Sequence, residues 1–442
     1  MPQDPRNMSN LNINVARWHD EVVGGVDEFG AIPVTLSGDG NNNLTSLNTN
    51  NAIGDAFGRI RTSGVGNRFD VEFIYNKQAD IVDEVTAGSG TATHDTDSRD
   101  VTLAVGDAAN GSAAGLYSYD VPYTPGNSQL IDITGTLNFA ALAEGEPFLF
   151  LRSSVTGSTV TTLYPQNEWT DNTQNNINWS YSQILSIDFQ SLKVGRIRFF
   201  FSRNGVPVLT HRINNDNIRN TGFWQRPSLP AYWRIYNDDT YTYAEMGYGD
   251  TTNGVGLMLR FPVNANATMK AICGTVKSEG GLPLFDLPGF QRSANNGVTA
   301  KTVSTTLIPI LSVRPAATFN SLVNRGLYIP TNYSIQANND IRFALIFRPT
   351  LTNASWTAVD ATNSGMEYDV SATALTGGTV EFSDYLAAVA GNSVSNENDG
   401  LLGRTLLKLG RTGTSDILTL AAIRTGGTNA SVLSSLGWKE IR

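Results

Sequence analysis

The stretch from Trp179 to Ile213, WSYSQILSIDFQSLKVGRIRFFFSRNGVPVLTHRI, restricts the fold more than any other part of the 442-residue chain. Leu185, Ile187 and Phe189 alternate with Ser186, Asp188 and Gln190; after Val194-Gly195 the alternation resumes with Ile197, Phe199 and Phe201. A period of two places one face of a strand in a core and the other outside it. Asn204-Gly205 offers the two positive-φ residues that a type I′ turn needs, so the pattern reads as a hairpin. Its register sets Phe201 against Val208, Phe199 against Thr210 and Arg198 against His211. Pro207 has no N–H for a ladder and belongs at an open edge or a bulge. The stretch is expected to be the centre of a twisted antiparallel β-sandwich.

The rest of the chain fits the same class. Charged residues make up only 16%, and 42 glycines with abundant Asn, Ser and Thr suit short strands and tight turns better than long surface helices. A net charge of −9 and the lack of any basic run argue against a nucleic-acid partner. The single cysteine, Cys273, excludes an intrachain disulfide and a cysteine-based zinc site. The N-terminus lacks the regions of a signal peptide, and no apolar run is long enough to span a bilayer. Synthesis in a cytoplasm and no membrane partner are therefore expected.

Residues 1–54 read as an extended arm, because the Asn-rich tract SGDGNNNLTSLNTNN buries too little apolar surface to fold alone. Between 55 and 282, alternation recurs in segments such as 68–75, 101–105, 128–134, 147–151, 232–236, 240–246 and 255–261, a spacing that predicts a β-sandwich or jelly roll. Two prolines and three glycines between Glu279 and Gly289 mark a boundary, and 290–442 reads as a second β-sandwich. Ser383–Ala390 is expected to be a short helix stopped by Gly391. The fold class is thus all-β: two or more antiparallel sandwich or jelly-roll domains behind an extended arm.

Several motifs in order resemble the virion structural proteins of tailed phages: Ala56-Phe-Gly-Arg-Ile-Arg-Thr-Ser63, Gly126-Asn-Ser-Gln-Leu-Ile131, Ile187-Asp-Phe189 with Val194-Gly-Arg-Ile-Arg198, Ser228-Leu-Pro-Ala-Tyr-Trp-Arg-Ile-Tyr236 and Ile272-Cys-Gly-Thr-Val-Lys-Ser-Glu-Gly-Gly281. Asn127 stands where that family often has Lys, and Ala231-Tyr232 where it has V-R. The resemblance implies a non-enzymatic component of a virus particle, made in the host cytoplasm and located in the capsid, tail or fibre. It implies assembly with copies of itself, as a trimer by the habit of phage appendages, and with other virion proteins.

Catalytic patterns are sparse. His211 has only Asp188 nearby in sequence as a partner, and a partly exposed histidine in a cross-strand pair is the reading its pattern favours. Asp188 and Glu245 are the acids that a glycosidase reading would have to bring together across one cleft. Asp39/Asn41/Asn43, Asp95/Asp97/Asp100 and Asp238-Asp239 are possible calcium ligands, but Leu44 replaces the glycine of an EF-hand loop and Arg99 puts a cation inside the second group. No catalytic residue, metal or cofactor is expected.

The densest signal is aromatic. Phe223, Trp224, Arg226, Tyr232, Trp233, Tyr241 and Tyr243 form a set that suits a subunit interface or a glycan-stacking surface, whereas alternating aromatics in strands also serve as ordinary core. Two functions follow. The first is a virion structural protein assembling through the arm and this aromatic set; the alternative is a lectin-like module on the virion surface that binds host glycan or a receptor.

Overall fold

The computed structural model describes residues 65–106, 111–138, 147–153, 160–174, 176–218, 222–224, 226–237, 241–250, 255–263, 268–387, 393–397 and 405–442. The expected arm, the motif at 56–63 and the acidic or Asn-rich tracts 39–43 and 238–239 lie outside these residues. Among the described residues the chain is all-β, interrupted by two short 3-10 turns, Gln166–Glu168 and Leu284–Asp286.

Residues 65–279 supply two facing antiparallel sheets. The eight-stranded one runs from the edge strand Val206–Ile213 through Ile197–Arg203, Gln183–Phe189, Ser128–Asn138 and Thr268–Glu279 to Asp100–Ala104 and Thr91–Asp95; Val65–Glu72 also pairs with Thr268–Glu279. The seven-stranded one follows the order Val82–Ala87, Ala113–Ser118, Ala231–Asn237, Thr242–Asp250, Val255–Val263, Phe148–Ser153 and Val160–Pro165. The apolar members of each alternation point into the gap. Ile187, Phe189, Phe199 and Phe201 on one side and Trp233, Ile235, Met246 and Leu259 on the other belong to one buried cluster. Burying each such side chain is worth about 1.5–3 kcal/mol before conformational entropy is charged. Trp233 ties the sheets together: its Nε1–H donates to the Thr134 carbonyl at 3.0 Å. Its ring lies so close to Gly274 that a Cβ there would stand 2.7 Å from it.

The hairpin forms, with two corrections. Asn204 and Gly205 take φ of 51° and 78°, and Phe201 faces Val208 as the turn dictates. Past that point the register slips: Phe199 faces His211 and Arg198 faces Arg212. The extra residue is Thr210, whose carbonyl accepts the backbone N–H groups of Asp171 and Asn172, both at 3.0 Å. A loop thus claims a ladder acceptor and leaves a β-bulge. The hairpin also lies at the margin of its sheet, with Ser128–Asn138 and Thr268–Glu279 nearer the middle. Pro207 is on that open edge, where a missing N–H costs nothing. Space around Gly205 is open, so Gly205→Ala probes backbone conformation alone. It is expected to lower the first sandwich's stability by about 1 kcal/mol, read as a fall of roughly 2–4 °C in its thermal midpoint.

Residues 290–441 build two more large sheets and two two-stranded ones, Thr318–Phe319 with Leu322–Val323 and Thr350–Thr352 with Ala374–Thr376. The five-stranded sheet contains Phe290–Asn295, Lys301–Val303, Leu327–Ala337, Ser393–Glu397 and Ala430–Ile441; the six-stranded sheet contains Ile308–Pro315, Ile341–Phe347, Thr357–Ala358, Met366–Asp369, Thr379–Leu386 and Leu418–Arg424. Leu311, Phe343, Leu345, Ile335, Leu420 and Trp438 share their core. The helix expected from Ser383 is instead the end of the strand Thr379–Leu386, paired with Ile341–Phe347. Tertiary pairing of an edge strand overrides a weak local helical pattern there.

The two pairs of sheets touch. Leu327, Ile329 and Leu406 join the apolar cluster of the first pair. Lys408 pairs with Asp83, Arg411 with Asp120 and Asp250, and Arg348 with Asp80.

Candidate functional site

The outer face of the seven-stranded sheet carries the polar half of the alternation. In Ala231–Asn237, Trp233 and Ile235 point inward, so Tyr232, Arg234 and Tyr236 point outward. In Thr242–Asp250, Ala244 and Met246 point inward and Tyr243 and Glu245 outward. Strand register then aligns them. Arg234 faces Glu245, which faces Arg260 on the next strand, while Tyr236 faces Tyr243. The result is a row of alternating charge across three strands beside a row of tyrosines.

Glu245 is the buried hub. It accepts Arg260 Nε–H at 2.5 Å, the Tyr236 hydroxyl at 3.0 Å and the Tyr232 hydroxyl at 3.4 Å. Burial first, and the neighbouring Glu245 charge second, push both tyrosine hydroxyls well above their ordinary pKa, so each stays a protonated donor. The Arg234 guanidinium lies 4.0 Å from the Tyr236 ring centre and that of Arg260 4.8 Å from Tyr243. Tyr236 and Tyr243 sit 5.5 Å apart, and Tyr241 meets Tyr243 edge-on at 6.0 Å. Tyr241 is 41% exposed, the most open ring of the group. Two of the seven residues anticipated from sequence, Tyr241 and Tyr243, thus come together at the surface. Arg234, Glu245 and Arg260 complete the patch; the outward parity of Arg234 beside Tyr236 was the sequence signal for it.

The other five go elsewhere. Phe223, Trp224, Tyr232 and Trp233 are 0–1% exposed. Trp224 packs at 5.0 Å from both Phe189 and Phe223, and Tyr232 stacks on Tyr117 at 5.5 Å. These four serve as core and inter-layer packing. Arg226 lies at the junction of the two sandwiches, paired with Asp120 and, at 2.9 Å, with Asp250.

The acids weighed for catalysis do not converge. Asp188 alternates with the inward Ile187 and Phe189 on one sheet, and Glu245 with the inward Ala244 and Met246 on the facing sheet. They stand on opposite outer faces, with no single cleft between them. Asp188 holds Arg198 and accepts the Ser128 hydroxyl at 2.8 Å, whereas His211 Nδ1 accepts the Thr170 backbone N–H at 3.2 Å. In the 95–100 loop, Asp95 caps the N–H groups of Asp97 and Ser98, and Lys270 occupies Asp100 at 2.9 Å. Those backbone bonds, Ser98 first, hold the Asp95 carboxyl below its ordinary pKa. Among the described residues no group of three potential ligands is placed to hold a metal ion.

No family model matches the chain, and no curated protein does. Solved structures match at low identity. One is the lectin of Bauhinia forficata in complex with GalNAc, 9% identical, covering 48% of this chain and 97% of the lectin at a TM-score of 0.19. Another is the N-terminal CBM22-1–CBM22-2 tandem domain of Xyn10C from Paenibacillus barcinonensis, 9% identical over 86% of this chain and 98% of that one, with a TM-score of 0.21. A third is the β-glucanase of Bacillus licheniformis, 10% identical over 50% and 100%, with a TM-score of 0.17. At such scores the likeness carries no argument about activity.

The expectation of a virion structural protein, whether in capsid, tail or fibre, is corrected. Phe223, Trp224, Tyr232 and Trp233, four of the rings meant to glue subunits together, are interior.

Proposed function

We propose that the chain is a carbohydrate-binding protein whose glycan rests on the outer face of the seven-stranded sheet. The observation that carries this reading is the joint placement of the exposed Tyr241 ring, Tyr243 and Tyr236 beside Arg234 and the Glu245–Arg260 pair. A sugar ring offers an apolar C–H face and a rim of hydroxyls. An aromatic ring takes the first, and a guanidinium takes the second by donating to hydroxyl oxygens. The Arg234 guanidinium is fixed over a ring rather than free to swing, which lowers the ordering cost of a hydrogen bond.

A glycan array probed with the full chain tests this. Wild type is expected to retain at least one glycan class, and Tyr241→Ala to weaken the retained class about tenfold. Absence of any retained glycan, or retention unchanged by both Tyr241→Ala and Arg234→Ala, overturns the reading.

A further inference from the structure

The junction between the two sandwiches encloses a cleft of about 520 Å³, within the size range of small-molecule sites. Its walls are largely apolar: Pro122, Pro125 and Leu287 on the side of the first sandwich, Phe319, Leu322 and Leu327 on the other. Leu322 and Val323, on the short hairpin at its rim, are 73% and 52% exposed. Water is a poor occupant for such walls, and the rim leaves apolar surface that a ligand would cover.

The charges on the cleft wall and behind it are out of balance. Asp120 and Asp250 are shared by Arg226 and Arg411, two carboxylates for two guanidinium groups. Lys408 is matched by Asp83, and Arg442, also on the wall, by Glu440 at 2.9 Å. Arg325 remains. It lines the cleft beside Asp120 and Arg226, yet its Nε is buried with no partner and its Nη1 reaches only the Leu409 carbonyl, at 3.4 Å. Burial, and Arg411 next to it, draw its pKa below the ordinary arginine value against the pull of Asp120 and Asp250. Asp120 and Asp250 already serve two other guanidinium groups, so the half-buried Arg325 cation is costly until a further anion meets it.

We infer that this cleft is a binding site for an organic carboxylate with an apolar body, the carboxylate oxygens accepting from Arg325 and the body lying against Pro122, Leu287 and Phe319. The planar guanidinium fork matches a carboxylate, which brings the negative charge that Arg325 lacks. The site is separate from the tyrosine face and stands or falls independently of it.

Octanoate and its neutral isostere octanamide are the probes, titrated calorimetrically into the full chain. Octanoate is expected to bind wild type about tenfold more tightly than octanamide, from one charge-assisted hydrogen-bonded contact. In Arg325→Met the two should bind alike. Val323→Glu, at an exposed position on the rim, should weaken octanoate and spare octanamide. Equal affinity of wild type for both probes, binding of neither, or a preference that survives both substitutions overturns the inference. The wild-type comparison decides even where Arg325→Met does not fold.

Discussion

Asp188→Asn is expected to cost the first sandwich about 3–5 kcal/mol, the largest single effect anticipated for this chain. Asp188 is 0% exposed, and its partner Arg198 is 2% exposed with Nε unsatisfied. The guanidinium also lies 5.3 Å from the Phe200 ring centre. Asparagine keeps the shape of the side chain and the acceptor for the Ser128 hydroxyl, but its NH2 replaces the oxygen that accepts from Arg198, so the substitution removes the charge and sets a donor against a donor. Arg198 then loses the carboxylate it is paired with while it stays beside Arg196, whose own pKa is already lowered by burial and by Arg198 and is supported by Asp188. Adding Arg198→Met to Asp188→Asn should restore part of the loss, because it removes the buried cation whose paired carboxylate has been neutralised. Thermal unfolding monitored through the tryptophans of the first sandwich measures both. A loss under about 1 kcal/mol for the single variant would show the pair to be solvated and its position merely tolerated.

How far the sequence could carry this reading depended on how local each determinant is. Strand alternation is local, and Ile187/Phe189, Trp233/Ile235 and Leu311/Val313 all bury the face that their spacing marks. The turn at Asn204-Gly205 is local too, and so was the pairing of Phe201 with Val208. The bulge at Thr210 was hidden, since its cause is a loop forty residues upstream that competes for one carbonyl. Alternation also cannot say which of two aromatic faces is interior. Tyr232, on the outward side, is as buried as Trp233, because the second sandwich covers that end of the sheet with Arg411 near Tyr117. The charge cluster at the junction was out of reach altogether: Arg411 and Asp120 meet across 291 residues. A sequence pattern of period two has no term for such a meeting.

His211 should make the first sandwich acid-labile over a defined window. Its Nδ1 accepts the Thr170 backbone N–H at 3.2 Å, which only a neutral ring with its proton on Nε2 can do, so a second proton has to enter at Nδ1 against that N–H while Nε2 stays buried. Tyr164 covers the ring at 4.4 Å. Burial pulls the pKa from 6.5 down to about 4, against the opposing charge of Asp171, which Arg212 already occupies. The unfolded chain takes up a proton near pH 6.5 and the folded chain does not. Stability is therefore complete above that pH, falls as pH drops toward about 4, and levels off below it. The shift is worth about 3 kcal/mol at the bottom of the window. Gln supplies an acceptor for Thr170 without titrating, so His211→Gln should hold its thermal midpoint flatter than wild type between pH 6.5 and 4, while carboxylates elsewhere titrate alike in both. Parallel pH profiles for the two proteins would mean that the Thr170 N–H gives way at Nδ1 and that the ring protonates within the fold.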